Sequence, residues 1–205
     1  MGSVWTSRIH LDSRFIRPMT SDVVEHKSLL SFWKGDVSKE PTGEWPRPTT
    51  IWVDEDYEGS LTRLPDLSSV NSHWIVSARL AKVLRDFDLG VGTLTPVSAF
   101  GRDRATPLAG TYLSWTFNLV KRAFLPDRSN NLRPFVRTVS SVRALIQDDD
   151  IACSPAALVG PDVWIDPGLY GSIFLSDRLV EALTTANLAR PFNGPDRLTR
   201  CRIES

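Results

Sequence analysis

Cysteine and histidine are scarce in this 205-residue chain, and their scarcity removes several chemistries at once. Cys153 and Cys201 make no disulfide framework and are too few for a thiolate zinc site, so a reducing, cytoplasmic setting is expected. The three histidines, His10, His26 and His73, show neither HxH nor HxxxH spacing, and none neighbours a cysteine. A zinc site built from them would need three distant segments to converge. Charge of one sign is lacking too. The 24 acidic and 24 basic residues cancel, which leaves no overall field to draw in nucleic acid or an anionic membrane. No apolar run approaches the ~20 residues of a membrane span. The start, Met1-Gly2-Ser3-Val4-Trp5-Thr6, has no basic n-region and no apolar stretch, so no secretory signal is read there; Gly2 and Thr6 satisfy only the short myristoylation pattern.

Nucleophile and phosphate motifs are missing as well. No GxSxG is present, so the serines that follow apolar runs lack the glycines of a nucleophile elbow. Gly90-Val91-Gly92 has no third glycine and follows a helical pattern where a phosphate loop would follow a strand, which makes it a helix stop. No catalytic residue, cofactor or metal is expected.

What the chain has is aromatic mass and a repeated pattern. Seven Trp and nine Phe offset an apolar fraction of 41 %, enough for the core of one domain, or of one domain (51–205) with a small N-terminal elaboration (1–50). Trp74-Ile75-Val76-Ser77-Ala78-Arg79-Leu80, with Leu84 and Leu89, matches Ile173-Phe174-Leu175-Ser176-Asp177-Arg178-Leu179, with Leu183 and Leu188. Each copy reads as a buried strand end that stops at a serine N-cap, with leucines on one face of the helix beyond. Flanking segments do not align, which favours convergence on a common local solution over duplication.

Further elements follow from periodicity and turn residues. Val4 to Leu11 reads as an edge strand, 22–33 as a helix, 36–50 as a surface excursion, Thr49 to Val53 as a strand and 60–72 as irregular. Helices are expected over 78–88 and 177–187, the first ending at Gly90 and the second near Asn187 in a left-handed cap. Thr93 to Phe100, Val163 to Ile165 and Arg200 to Ile203 read as strands, and 135–146 fits either a helix or a strand. In 111–120, Leu113, Trp115, Phe117 and Leu119 alternate with Tyr112, Ser114, Thr116 and Asn118, the pattern of a strand with one buried and one polar face. Together these predict an α+β fold, a mainly antiparallel sheet covered by helices on one side, with two strand–serine cap–helix units.

Two acidic stretches stand out, Asp54-Glu55-Asp56-Tyr57-Glu58 and Asp148-Asp149-Asp150. Carboxylates so close could bind a cation or divide acid and base roles, but neither stretch has the glycine and ligand spacing of a calcium loop. They read as solvated loops, or as patches that complement a basic site on a partner protein, with Trp52 and Tyr57 as anchors beside the first.

From Trp74 onward the chain resembles a family of immunity proteins of bacterial polymorphic toxin systems, first catalogued as a domain of unknown function. The likeness lies in Trp74-Ile75-Val76-Ser77, Thr93-Leu94-Thr95-Pro96-Val97, Asp162-Val163-Trp164-Ile165-Asp166 and Ile173-Phe174-Leu175-Ser176-Asp177-Arg178-Leu179 through Leu188, and it covers about residues 50–203. It implies an α+β fold and a cytoplasmic protein that binds and neutralises a cognate toxin from an adjacent gene. It brings no catalytic residues. Two other readings remain open: a small enzyme whose carboxylates converge only in the fold, and a structural component of a secretion locus.

Overall fold

Apolar runs without alternation, such as Trp74-Ile75-Val76 and Ile173-Phe174-Leu175, belong to strands buried on both faces, and that is where the fold puts them. The computed structural model describes residues 2–9, 12–23, 46–116, 120–136, 139–143, 146–190, 192 and 198–204. In chain order its strands are β1 (Val4–Ser7), β2 (Met19–Ser21), β3 (Thr50–Val53), β4 (Leu67–Val70), β5 (His73–Ser77), β6 (Thr93–Phe100), β7 (Tyr112–Thr116), β8 (Leu132–Val136), β9 (Val139–Val142), β10 (Ala152–Cys153), β11 (Val163–Trp164), β12 (Ile173–Ser176) and β13 (Thr199–Ile203). Two α-helices are described, α1 (Ala78–Leu84) after β5 and α2 (Asp177–Thr185) after β12.

Six strands form one sheet in the order β2-β3-β6-β7-β5-β4, five form another in the order β10-β13-β1-β12-β11, and β8–β9 is a separate hairpin. Pairing is antiparallel except between β3 and β6 and between β10 and β13. The fold is therefore mostly β, which overturns the expected α+β sheet covered by helices. Two short helices cannot cover eleven sheet strands. They pack instead into one of three cores, where Leu80, Leu84, Leu179 and Leu183 meet Trp74, Val76, Leu113 and Trp115 of the larger sheet and Ile173 and Leu175 of the smaller. The opposite face of the larger sheet buries Ile51, Val53, Ile75, Val97 and Tyr112. The opposite face of the smaller one buries Val4, Trp164, Phe174 and both cysteines, which are free. Each sheet thus has apolar residues on both sides.

Several local expectations change for that reason. Leu113 and Trp115 do lie in the helix-side core, but the alternating face of β7 is not solvated: Ser114 is 1 % exposed. β7 runs between β6 and β5 and has a core on its other side as well. Phe117 and Leu119 lie outside the described residues. β1 is not an edge strand, since it pairs with both β12 and β13. The stretch expected to be irregular contains β4, and 135–146 contributes to β8 and β9, where its β-branched residues favour the strand reading. Residues 24–33 of the expected 22–33 helix and the 36–45 part of the excursion, with His10 and His26, fall outside the described residues, while Asp22 and Val23 are not helical. Asn187 is left-handed (φ 55°) directly after the C-cap of α2, as expected. Helix α1 stops at Leu84, short of the expected 78–88, and the left-handed Gly90 (φ 62°) lies in the turn beyond it. Among the described residues no helix is long and apolar enough to cross a membrane.

The repeated unit is larger than the sequence pattern. Ser77 Oγ accepts the N–H of Leu80 at 3.2 Å, and Ser176 Oγ accepts that of Leu179 at 3.3 Å, so both serines cap their helices. Each hydroxyl also donates to an aspartate on the preceding strand's near end, Ser77 to Asp66 at 2.6 Å and Ser176 to Asp162 at 2.5 Å. Both aspartates follow a proline, Pro65 and Pro161. Each precedes the strand of a hairpin in which Leu67 faces Val76, or Val163 faces Leu175. The whole unit is Pro-Asp, hairpin, serine cap and helix. Aspartate and serine are 11 residues apart in one copy and 14 in the other, which is why the flanks do not align in sequence.

The two units also lock together. The Arg79 guanidinium donates to the Ala186 carbonyl at the end of α2, and the Arg178 guanidinium lies 5.6 Å from the Phe87 ring just past the end of α1. The start of each helix therefore sits beside the end of the other, an antiparallel pair in which a cation meets a helix C-terminus. Asp162, 1 % exposed, accepts from Ser176, from Arg178 Nε at 2.6 Å and from the Asp88 N–H at 2.8 Å. Burial alone would push its carboxyl up, but the hydrogen bonds from Arg178, Ser176 and Asp88 outweigh it and hold the group below the usual carboxylate range.

Candidate functional site

Trp52 faces outward because β3 alternates: Ile51 and Val53 are buried, and Trp52 stands on the other side, opposite Thr20 of β2. The chain then turns at once, with the Asp54 N–H on the Pro18 carbonyl at 3.0 Å and the Tyr57 N–H on the Asp54 carbonyl at 3.2 Å. The Tyr57 ring folds back over Gly59, so closely that a Cβ at 59 would lie 2.3 Å from the phenol oxygen. Glycine is required there for tyrosine to take this position.

These residues line a cleft of about 590 Å³, with Trp52, Asp54, Glu55, Asp56 and Tyr57 on one side and Pro18, Thr20 and Arg104 completing it. Five of the six residues predicted around the first acidic stretch meet here; Glu58 is exposed outside the lining. Asp54 accepts from the Thr20 hydroxyl. The Arg104 Nη2 is 2.9 Å from Glu55 Oε1, and its guanidinium carbon is 4.6 Å from the centre of the Trp52 ring. With Arg104 and Glu55 side chains 55 % and 73 % exposed, this ion pair contributes at most about 1 kcal/mol, and the cation–π contact adds about 0.5–1 kcal/mol.

Arg104 was not singled out by the sequence, and its signal is indirect. Trp52 pairs in register with Phe100 at the end of β6, so the loop after β6 emerges beside Trp52. That loop closes on itself through the Gly101 N–H to the Thr106 carbonyl at 2.8 Å. Asp103 accepts from the Thr106 hydroxyl at 2.5 Å and from the backbone N–H groups of Thr106 and Ala105, and these bonds bring its carboxyl down to about 2. Arg104 sits between them in a left-handed conformation, φ 55°.

The second acidic stretch is far more occupied. Asp148 Oδ1 accepts the Arg200 N–H at 2.9 Å, and Asp149 pairs with the Arg200 guanidinium at 2.9 Å. Asp150 accepts from Asn131 at 2.7 Å and from the Gln147 N–H at 2.8 Å. Its carboxylates tie the turn to β13, in the other sheet from Trp52, so the two stretches do not share a cleft. A second depression of about 370 Å³ lies over the start of α1. In it Asp66 is engaged by Ser77 and the Tyr112 hydroxyl by the Leu64 N–H. Among the described residues no group of three or more His, Cys, Asp or Glu side chains could hold a metal ion.

The cleft is an open, acidic, aromatic-walled surface. Residues 14–193 match the immunity protein family Imm11. The chain belongs to that family. The match spans both Pro-Asp hairpin units and the whole Trp52 cleft, and it begins earlier than the resemblance read from residues 50–203. No curated protein matches the chain.

Proposed function

We propose that this Imm11 protein protects the cell that makes it by binding a cognate protein toxin, encoded by an adjacent gene, in a stoichiometric complex without turnover. Membership of Imm11 carries the reading. The contact face is the Trp52 cleft together with the exposed Glu58 that follows it in the chain, because there carboxylates stay available to a partner: Asp56 and Glu58 have no hydrogen bond or ion pair among the described residues. An aromatic anchor beside free charge is what a specific interface uses at its centre and rim. Protection against repeated encounters requires slow dissociation and an interface of about 1,600 Å² or more. The action takes place in the cytoplasm, where a delivered or self-made toxin would otherwise act.

Co-expression with the toxin gene next to this one tests the proposal. Cells should survive only when both proteins are present, and the purified pair should co-elute as a stoichiometric complex. Equal killing with and without this protein, together with no co-elution, sinks the proposal.

A further inference from the structure

We infer that the cleft is a receptor for a guanidinium: the partner docks an arginine side chain against Trp52 and the carboxylates of 54–58, a place that Arg104 fills in the free protein. This rests on the reading that the Trp52 face meets the toxin. The observation behind it is that the cleft already holds a guanidinium in the manner that distinguishes arginine from lysine. The group lies over the Trp52 indole at 4.6 Å while its Nη2 reaches the Glu55 carboxylate at 2.9 Å. A planar, weakly hydrated fork can stack on a ring and bond a carboxylate together, whereas a compact ammonium makes the two contacts less well.

Arg104 is built to leave. Its ion pair is exposed on both sides, so water competes for it. Its backbone is fixed by the loop that Asp103 and Thr106 close, so release requires only side-chain rotation. Room remains for more than one side chain, since the 590 Å³ cleft is measured with Arg104 in place. Asp56, which lines it, has no partner among the described residues and offers an incoming arginine a second carboxylate. The partner's gain is thus one carboxylate more than Arg104 uses. Arg104 in turn keeps the aromatic wall covered when no toxin is present, and it rejects weaker cations by competing with them.

The test is a titration followed by the Trp52 indole N–H resonance of the ¹⁵N-labelled protein, assigned by its loss in Trp52→Phe. N-acetyl-arginine amide, N-acetyl-lysine amide and N-acetyl-citrulline amide are added to the wild type and to Arg104→Gly, a substitution that suits the left-handed backbone at 104. The arginine probe should shift the resonance, and the lysine and citrulline probes should shift it far less. Its half-saturation should fall in Arg104→Gly, by about tenfold if Arg104 fills the cleft nine-tenths of the time. Arg104→Gly should also hold the toxin at least as well as the wild type, and Trp52→Ala should hold it less well. No shift in Arg104→Gly, or equal shifts by the lysine or citrulline probe, overturns the inference, as does loss of toxin binding in Arg104→Gly with the fold intact. If the wild type does not bind the toxin at all, the immunity reading falls, and the titration still decides whether the cleft takes a guanidinium.

Discussion

A serine that caps a helix and also donates to a carboxylate does two things with one hydroxyl, and the two repeats differ in how much the second matters. Ser77 donates to Asp66, whose side chain is 32 % exposed, while Ser176 donates to Asp162, which water hardly reaches. Ser77→Ala should cost about 1 kcal/mol, the ordinary value of a cap. Ser176→Ala should cost more, because Asp162 also loses a donor it cannot replace with water. Chemical denaturation of both variants measures the difference, and equal losses would show that Asp162 does not depend on Ser176. The same carboxylate gives the protein an acid limb. Its folded value lies below its unfolded one, so it contributes stability that is present above about pH 4, the unfolded carboxylate value, and is lost as the pH falls through the folded value. Asp162→Asn should flatten the fall in stability below pH 4 while lowering stability at neutral pH. An unchanged acid limb in that variant would place the titrating group elsewhere.

At the scale of elements, Trp115 is the side chain on which the larger sheet and the helix pair converge. It is 2 % exposed and stands between Leu94 of β6 and Trp74 of β5. Trp115→Ala should cost roughly 3–5 kcal/mol, read as a shift in denaturation midpoint with the slope unchanged. A loss below 1 kcal/mol would mean that this core collapses around the gap. The core side of Leu113 and Trp115 and the serine caps could be read from sequence because each depends on residues within one turn or one pleat. β3, β6 and β13 were legible for the same reason: apolar alternation between turn signals. The segment 135–146 was not, since Phe135, Val139, Val142 and Ile146 fit both periods. The sequence also hid the second burial of Ser114, because a polar residue on a strand gives no sign that another core lies behind it. Least visible were the parallel β3–β6 pairing and the place of β1, which rest on backbone hydrogen bonds that carry no residue identity. Arg104 was missed with them, for it reaches Trp52 only through that pairing.

For the whole molecule, net charge is zero and specificity has to come from local fields. Reversing Glu55, Asp56 and Glu58 to lysine should slow association with the toxin and make it less sensitive to salt, with little effect on stability. Reversing Asp148, Asp149 and Asp150 should instead lower stability, because those carboxylates hold Arg200, Asn131 and the turn before β10. Stopped-flow association at several salt concentrations, beside thermal melts, separates the two effects. If the 54–58 reversal leaves association unchanged, the Trp52 cleft is not the toxin face.

The position of β1 sets the order in which the molecule can form. Residues 4–6 lie between a strand ending at Ser176 and one beginning at Thr199, so β1 waits for partners that lie far along the chain. The smaller sheet cannot close until β12 and β13 have been made, and contacts of such long sequence separation fold slowly. Until then Val4 and Trp5 have no partner strand. Under the proposed function, new chains become protective only after that slow step, so protection would draw on a reserve made before the toxin arrives.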